Sequence, residues 1–149
     1  MYRHILVPTD GSTLSLKAAK EAARLAKSQK AKVTAFYAIS PYVAPLTGEA
    51  IFVTPEMFSG KDYLKHMQKV ANAALSTVEV EAKKAGVDFA GAAVEADAPW
   101  KGIIEAAKAN DCDLIVMASH GRRGLEGLLL GSETMKVLTH SKTPVLVCR

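Results

Sequence analysis

In Leu114-Ile115-Val116-Met117-Ala118-Ser119-His120-Gly121 an unbroken apolar run, Leu114 to Ala118, is expected as a strand and gives way to Ser119-His120 and a glycine. After the residues 122–130, Gly131-Ser132 begins a stretch with helical spacing that reaches about His140. A short apolar run closed by turn residues reads as a strand covered on both faces. Glycine lets backbone approach a ligand closely. The N–H groups and dipole at a helix start attract negative charge. Strand, glycine-rich loop and helix start together read as a phosphate cradle on an α/β sheet.

The rest of the chain repeats that rhythm. Ile5-Leu6-Val7 is a second apolar run, broken by Pro8-Thr9-Asp10-Gly11-Ser12, where Ser12 can cap a helix. That helix is expected from Thr13 to Gln29, with Leu14, Ala18, Ala22, Leu25 and Ala26 on one stripe. Val33 to Ile39 reads as a strand. Ser40 to Gly60 carries Pro41, Pro45, Gly48 and Pro55 and reads as a long connection. From Lys61 to Ala85 the residues Leu64, Met67, Ala71, Ala74, Leu75, Val78 and Ala82 keep helical spacing, and Gly86 is placed to end it. Val87 to Val94 reads as an outer strand. Pro99 sits in the first turn of a helix that buries Ile103, Ile104 and Ala107 and ends near Asn110. Pro144 to Cys148 supplies a fifth strand.

Alternating strands and helices imply an open parallel sheet with helices on both faces. Ligands of such sheets bind beyond the carboxyl ends of the strands, where strand order reverses. Turn-type and polar residues gather in two loops, Pro8 to Ser12 and Ala118 to Gly131. If both serve one ligand, the first and fourth strands are neighbours.

At 149 residues the chain has the size of one domain, spanning 1–149. A net charge of +4 with scattered basic residues argues against nucleic-acid binding, since no recognition motif accompanies it. Cys112 and Cys148 form neither a disulfide framework nor a metal-ligand pattern, and Cys148 reads as a buried strand residue. No leader segment and no membrane-length apolar run is evident, so a soluble cytoplasmic protein is expected.

The chain resembles the universal stress protein family, from Pro8-Thr9-Asp10-Gly11-Ser12 to Pro144-Val145-Leu146-Val147. Its nucleotide signature is Gly, two residues, Gly, nine residues, then Gly with Ser or Thr. Gly121, the nine residues 122–130 and Gly131-Ser132 match, while Ala118 stands where the ATP-binding branch has the first glycine. The resemblance implies a Rossmann-like fold of the adenine nucleotide alpha hydrolase type, with sheet order 3-2-1-4-5. It implies ATP laid across the first and fourth strands. Pro8, Thr9 and Met117 would line the adenosine pocket, and the Ala38 backbone would meet the adenine edge. Asp10 would meet the ribose or a phosphate-bound Mg²⁺. Backbone groups of Ala118, Gly121, Gly131, Ser132 and Glu133, with the Ser132 hydroxyl, would hold the phosphates, and Arg122 or Arg123 would add a charged contact. The family also implies a homodimer through the last strand.

Each of these residues has a plainer reading. Asp10 and Ser132 are good helix caps. Arg122-Arg123 fits an ordinary solvated loop pair, and His120 has no catalytic partner beside it in the sequence. Trp100 is expected to pack on the sheet. A G-x-x-x-x-G-K-[ST] loop is absent, which argues against a phosphoryl-transfer enzyme. The expected function is a nucleotide-dependent interaction switch in a stress response, with an unidentified protein partner. A nucleotide-free dimeric interaction module and a slow ATPase are the alternatives.

Overall fold

A computed structural model describes residues 1–43, 59–121 and 130–149. The elements run β1 (His4–Pro8), α1 (Thr13–Gln29), β2 (Lys32–Ile39), α2 (Gly60–Ala85), β3 (Phe89–Glu95), α3 (Pro99–Ala109), β4 (Leu114–Ala118), α4 (Ser132–His140) and β5 (Val145–Cys148). All strand pairs are parallel, in the order β3-β2-β1-β4-β5. The order expected from the resemblance is therefore observed, and β1 and β4 are neighbours.

Side-chain alternation divides the core in two. Ile5, Val7, Val33, Ala35, Leu114 and Val116 pack with the alanines of α1 and with Ala71, Ala74, Leu75 and Val78 of α2. Leu6, Phe36, Ile115 and Met117 point the other way, into Ile103 and Ala107 of α3 and Val137 of α4. Ile5, Leu6, Val7, Ile115 and Val116 have no exposed surface at all. Each such side chain contributes about 1.5–3 kcal/mol on leaving water. The central strands are thus the firmest part of the sheet. At the β5 edge Leu146 remains 42% exposed and Cys148 only half-buried, less covered than its apolar setting in the sequence suggests.

Local chemistry sets the helix ends. Ser12 caps α1 by accepting from the Ser15 N–H at 3.1 Å. Gly86 ends α2 in the left-handed region at φ 69°. The Val87 N–H then donates to the Ala82 carbonyl, so β3 starts at Phe89 rather than at Val87. Leu64 departs from the expected stripe: it is 41% exposed, because the buried face of α2 begins only at Ala71. Ile104 is half-buried while Ile103 is covered. Residues 44–58 of the long connection lie outside the described residues. Its two stems meet: Tyr42 and Tyr63 place their rings 5.4 Å apart, and the Tyr63 hydroxyl donates to the Ser40 carbonyl at 2.8 Å.

Candidate functional site

Pairing of Ile5 with Leu114 and Leu6 with Ile115 makes the loops that follow β1 and β4 emerge side by side. In the first loop the Thr9 N–H donates to the Phe36 carbonyl at 2.9 Å, which extends the ladder one residue past β1. The Thr9 hydroxyl accepts from the Gly11 N–H at 3.1 Å and lies 3.1 Å from the Ser15 hydroxyl. Asp10 accepts from the Ser12 N–H at 2.9 Å through Oδ1. Gly11 turns the chain at φ 76°, a conformation that costs other residues strain. Asp10 therefore shapes the turn before α1, and the cap itself is Ser12.

The second loop comes against this aspartate. A Cβ on Gly121 would lie 2.7 Å from Asp10 Oδ2, so any larger residue here would push the Asp10 carboxylate aside. With glycine the carboxylate rests directly against the second loop. A carboxylate is an acceptor only, suited to a hydroxyl donor or a divalent cation. Its position next to a backbone that opens a helix suits a ligand carrying both phosphate and hydroxyl groups.

Three further contacts fasten the second loop to the sheet. The Ser119 N–H donates to the Cys148 carbonyl and the Gly131 N–H to the Ser119 carbonyl, both at 2.7 Å. The Thr134 hydroxyl donates to the Ala118 carbonyl at 3.0 Å. Gly131 thus returns to the end of β4 and becomes the N-cap of α4, with no side-chain cap of its own. The first N–H groups of a helix have no partner within it, and here they open beside exposed Ser132. Glu133 turns its carboxylate away, accepting from the Trp100 N–H at 2.9 Å and pairing with Lys136 at 3.2 Å.

Ala118 is the last residue of β4, and among the described residues the positive-φ ones other than glycine are Lys30 and Asp111. Its methyl costs no backbone strain, and it packs on the α1–α2 side of the core. Pro8, Thr9 and Met117 are buried, and Ala38 is half-buried at the end of β2. By strand alternation Ala38 and Met117 share the α3–α4 side. Pro8, Thr9, Asp10, Met117, Ala118, Gly121, Gly131 and Ser132 thus belong to the two converging loops and the strand ends beneath them. Arg122 and Arg123 lie outside the described residues. Thr134 and Gly11 join the constellation without having been expected. An Asp-Gly pair is a turn signal that points to Gly11, whereas nothing local marks Thr134.

His120 contacts the Ser119 hydroxyl at 3.2 Å through Nδ1. Trp100 packs on the α3–α4 core as expected, and its ring also stacks on His140 at 4.8 Å between centroids. Among the described residues no group of three or more His, Cys, Asp or Glu side chains is placed to hold a metal. Among them, too, no helix is long and apolar enough to cross a membrane.

Comparison with known proteins adds an independent line. The model of the Universal stress protein family matches residues 1–149. A universal stress protein of Methanocaldococcus jannaschii is 36% identical over 149 residues, covering 100% of this chain and 83% of the relative. Among solved structures, the protein MJ0577 superposes with a TM-score of 0.80 at 27% identity, over 99% of this chain and 96% of that one. A universal stress protein solved in complex with cAMP superposes at TM-score 0.70 and 29% identity, over 98% and 95% of the two chains. The chain belongs to the universal stress protein family.

Proposed function

We propose that this protein binds an adenine nucleotide across the carboxyl ends of β1 and β4. The observation that carries the reading is the meeting of the two loops, with the Asp10 carboxylate against Gly121 beside the start of α4. The relative that holds cAMP supports the same ligand class. The phosphates face the backbone of Ala118, Gly121, Gly131, Ser132 and Glu133, together with the Ser132 hydroxyl. Asp10 meets the ribose or a Mg²⁺ carried by ATP. Pro8, Thr9, Met117 and the Ala38 backbone form the adenosine side, and Arg122 adds charge at the phosphate end. The Ala118 methyl is compatible with this arrangement, since it faces the core and strains nothing.

The biochemical role proposed is a switch: nucleotide loading alters the surface offered to a protein partner in the cytoplasm. One domain, 1–149, carries it. A homodimer forms through β5, whose Leu146 is left 42% exposed at the sheet edge. No catalytic residue is assigned.

Calorimetric titration with ATP, with and without Mg²⁺, and with AMP and cAMP tests the binding. Ser132→Asp is the informative variant. A carboxylate suits a helix N-terminus and leaves the fold intact, but repels phosphate. Saturable binding by the native protein, weakened at least tenfold in this variant, is expected. A folded native protein that takes up none of these nucleotides overturns the proposal and leaves a nucleotide-free interaction module.

A further inference from the structure

Trp100 is the single tryptophan of the chain, and α4 holds it at two points. Near the start of α4, Glu133 Oε2 accepts from the Trp100 backbone N–H at 2.9 Å. In the last turn of α4, the His140 ring lies 4.8 Å from the Trp100 ring, inclined by 31°. Lys101 adds its ammonium 5.6 Å from the same ring on the α3 side. The two residues joined by the first contact are 33 apart in sequence, so the link is purely tertiary.

The reason the link exists lies in how α3 begins. Its N-cap is Ala98, which has no side-chain oxygen to offer. Pro99 has no N–H, so the N–H of Trp100 is the first donor left over at this helix start. Glu133 satisfies it from another helix, and its negative charge also suits the positive end of α3. Glu133 is the second residue of α4, and its own backbone lies at the opening next to Ser132. Its backbone therefore belongs to one helix start while its carboxylate serves another.

We infer that Glu133 couples the opening of α4 to the opening of α3, so that events at Gly131 and Ser132 are transmitted to Trp100 and the surface around it. Displacement of α4 must carry Trp100, because Glu133 grips its backbone and His140 its ring. The inference rests on the proposed nucleotide site for the nature of the signal. The mechanical link stands without it. Glu133 is a positioning residue here.

The test combines two readouts on full-length protein. In the first, Trp100 fluorescence is followed during titration with ATP and Mg²⁺ while calorimetry measures binding on the same samples. The emission change is expected to saturate at the affinity found by calorimetry. In Glu133→Ala the emission change at saturating nucleotide is expected to fall at least fivefold, whatever affinity calorimetry finds for the variant. Glu133→Gln, which retains a carbonyl oxygen for the Trp100 N–H, is expected to restore it. An undiminished emission change in Glu133→Ala, or binding that leaves Trp100 silent in the native protein, overturns the coupling.

The second readout needs no nucleotide. Amide hydrogen exchange at Trp100 is expected to accelerate about tenfold in Glu133→Ala. It is also expected to respond to Gly131→Ala, whose added Cβ meets His120 Cα and Cβ at 3.1 Å. The response to Gly131→Ala is expected to vanish when Glu133 is already alanine. If calorimetry detects no nucleotide, the binding proposal fails, and this exchange cycle alone decides the coupling. Additive effects of the two substitutions overturn it.

Discussion

The two ends of the sheet use the same residue types to opposite effect. At the amino end, Asp113 accepts from the N–H groups of Arg3 and His4 at 2.8 and 2.9 Å, which closes the entry to β1 and β4. His4 is only 6% exposed and shares a 2.7 Å hydrogen bond between its Nε2 and the Thr34 hydroxyl. An open depression of about 170 Å³ lies there, lined by polar residues such as His4, Thr34 and Asn110 and by apolar ones such as Val33 and Phe89. At the carboxyl end, Asp10 accepts from its own loop and presents Oδ2 to Gly121, next to a helix start without a side-chain cap. One aspartate fastens strands from below, and the other stands where two loops converge. The lesson is that an aspartate at a strand end has no fixed meaning. Its partners decide whether it is a fastening or part of a site.

The contrast is sharpened first by substitutions that separate stability from binding. Asp113→Ala strands two backbone N–H groups, one of them half-buried, and is expected to cost about 2 kcal/mol in urea unfolding. Nucleotide affinity in the folded protein should be unchanged. If affinity collapses with stability intact, the two ends are not independent. Gly121→Val does the reverse. Its Cβ is driven into the Asp10 carboxylate, and calorimetry is expected to show at least tenfold weaker nucleotide binding, about 1.4 kcal/mol, with unfolding nearly unaffected. Retained affinity there would break the assignment of the site to the two loops.

The smallest expected effect is one of pH, and it belongs to the amino end. Burial holds the His4 imidazole below its ordinary value of 6.5, helped by Lys32 and opposed by the Asn110 backbone, Asp113 and Asp111. The unfolded chain therefore takes up this proton before the folded one does, and stability declines as pH falls below 6.5. Asp113 acts further down. Burial pushes its carboxyl up, but the N–H groups of His4 and Arg3 outweigh this and hold it below its ordinary 3.8. Its contribution is complete above that value and is lost as pH falls through the folded one. Denaturant titrations between pH 7.5 and 5, at intervals of about half a unit, are expected to show the first decline in the native protein and a flatter course in His4→Gln. An equally steep fall in the variant would remove His4 as its source.

Much of the architecture was legible because its causes are local. Thr13–Gln29 and Leu114–Ala118 occupy the expected residues, since a serine cap, a helical stripe and an apolar run each act within a few positions. Gly86 ends α2 for the same reason. Leu64 was misleading because periodicity marks the face of a helix but not how far the sheet beneath it extends. The role of Ala118 could not be settled by its identity, as the cost of a methyl depends on φ and on the side of the strand it occupies.

By itself the sequence determined the succession of strands and helices, the two loops that carry polar chemistry, and through the spacing of Gly121 and Gly131-Ser132 the family to compare. Those follow from the nearest neighbours of each residue along the chain. Only the tertiary structure decided which groups meet: Asp10 with Gly121, His4 with Thr34, and Glu133 with the start of α3. The residues of these pairs are separated by tens of positions. Their contact is a consequence of strand order and helix packing, which no local preference encodes.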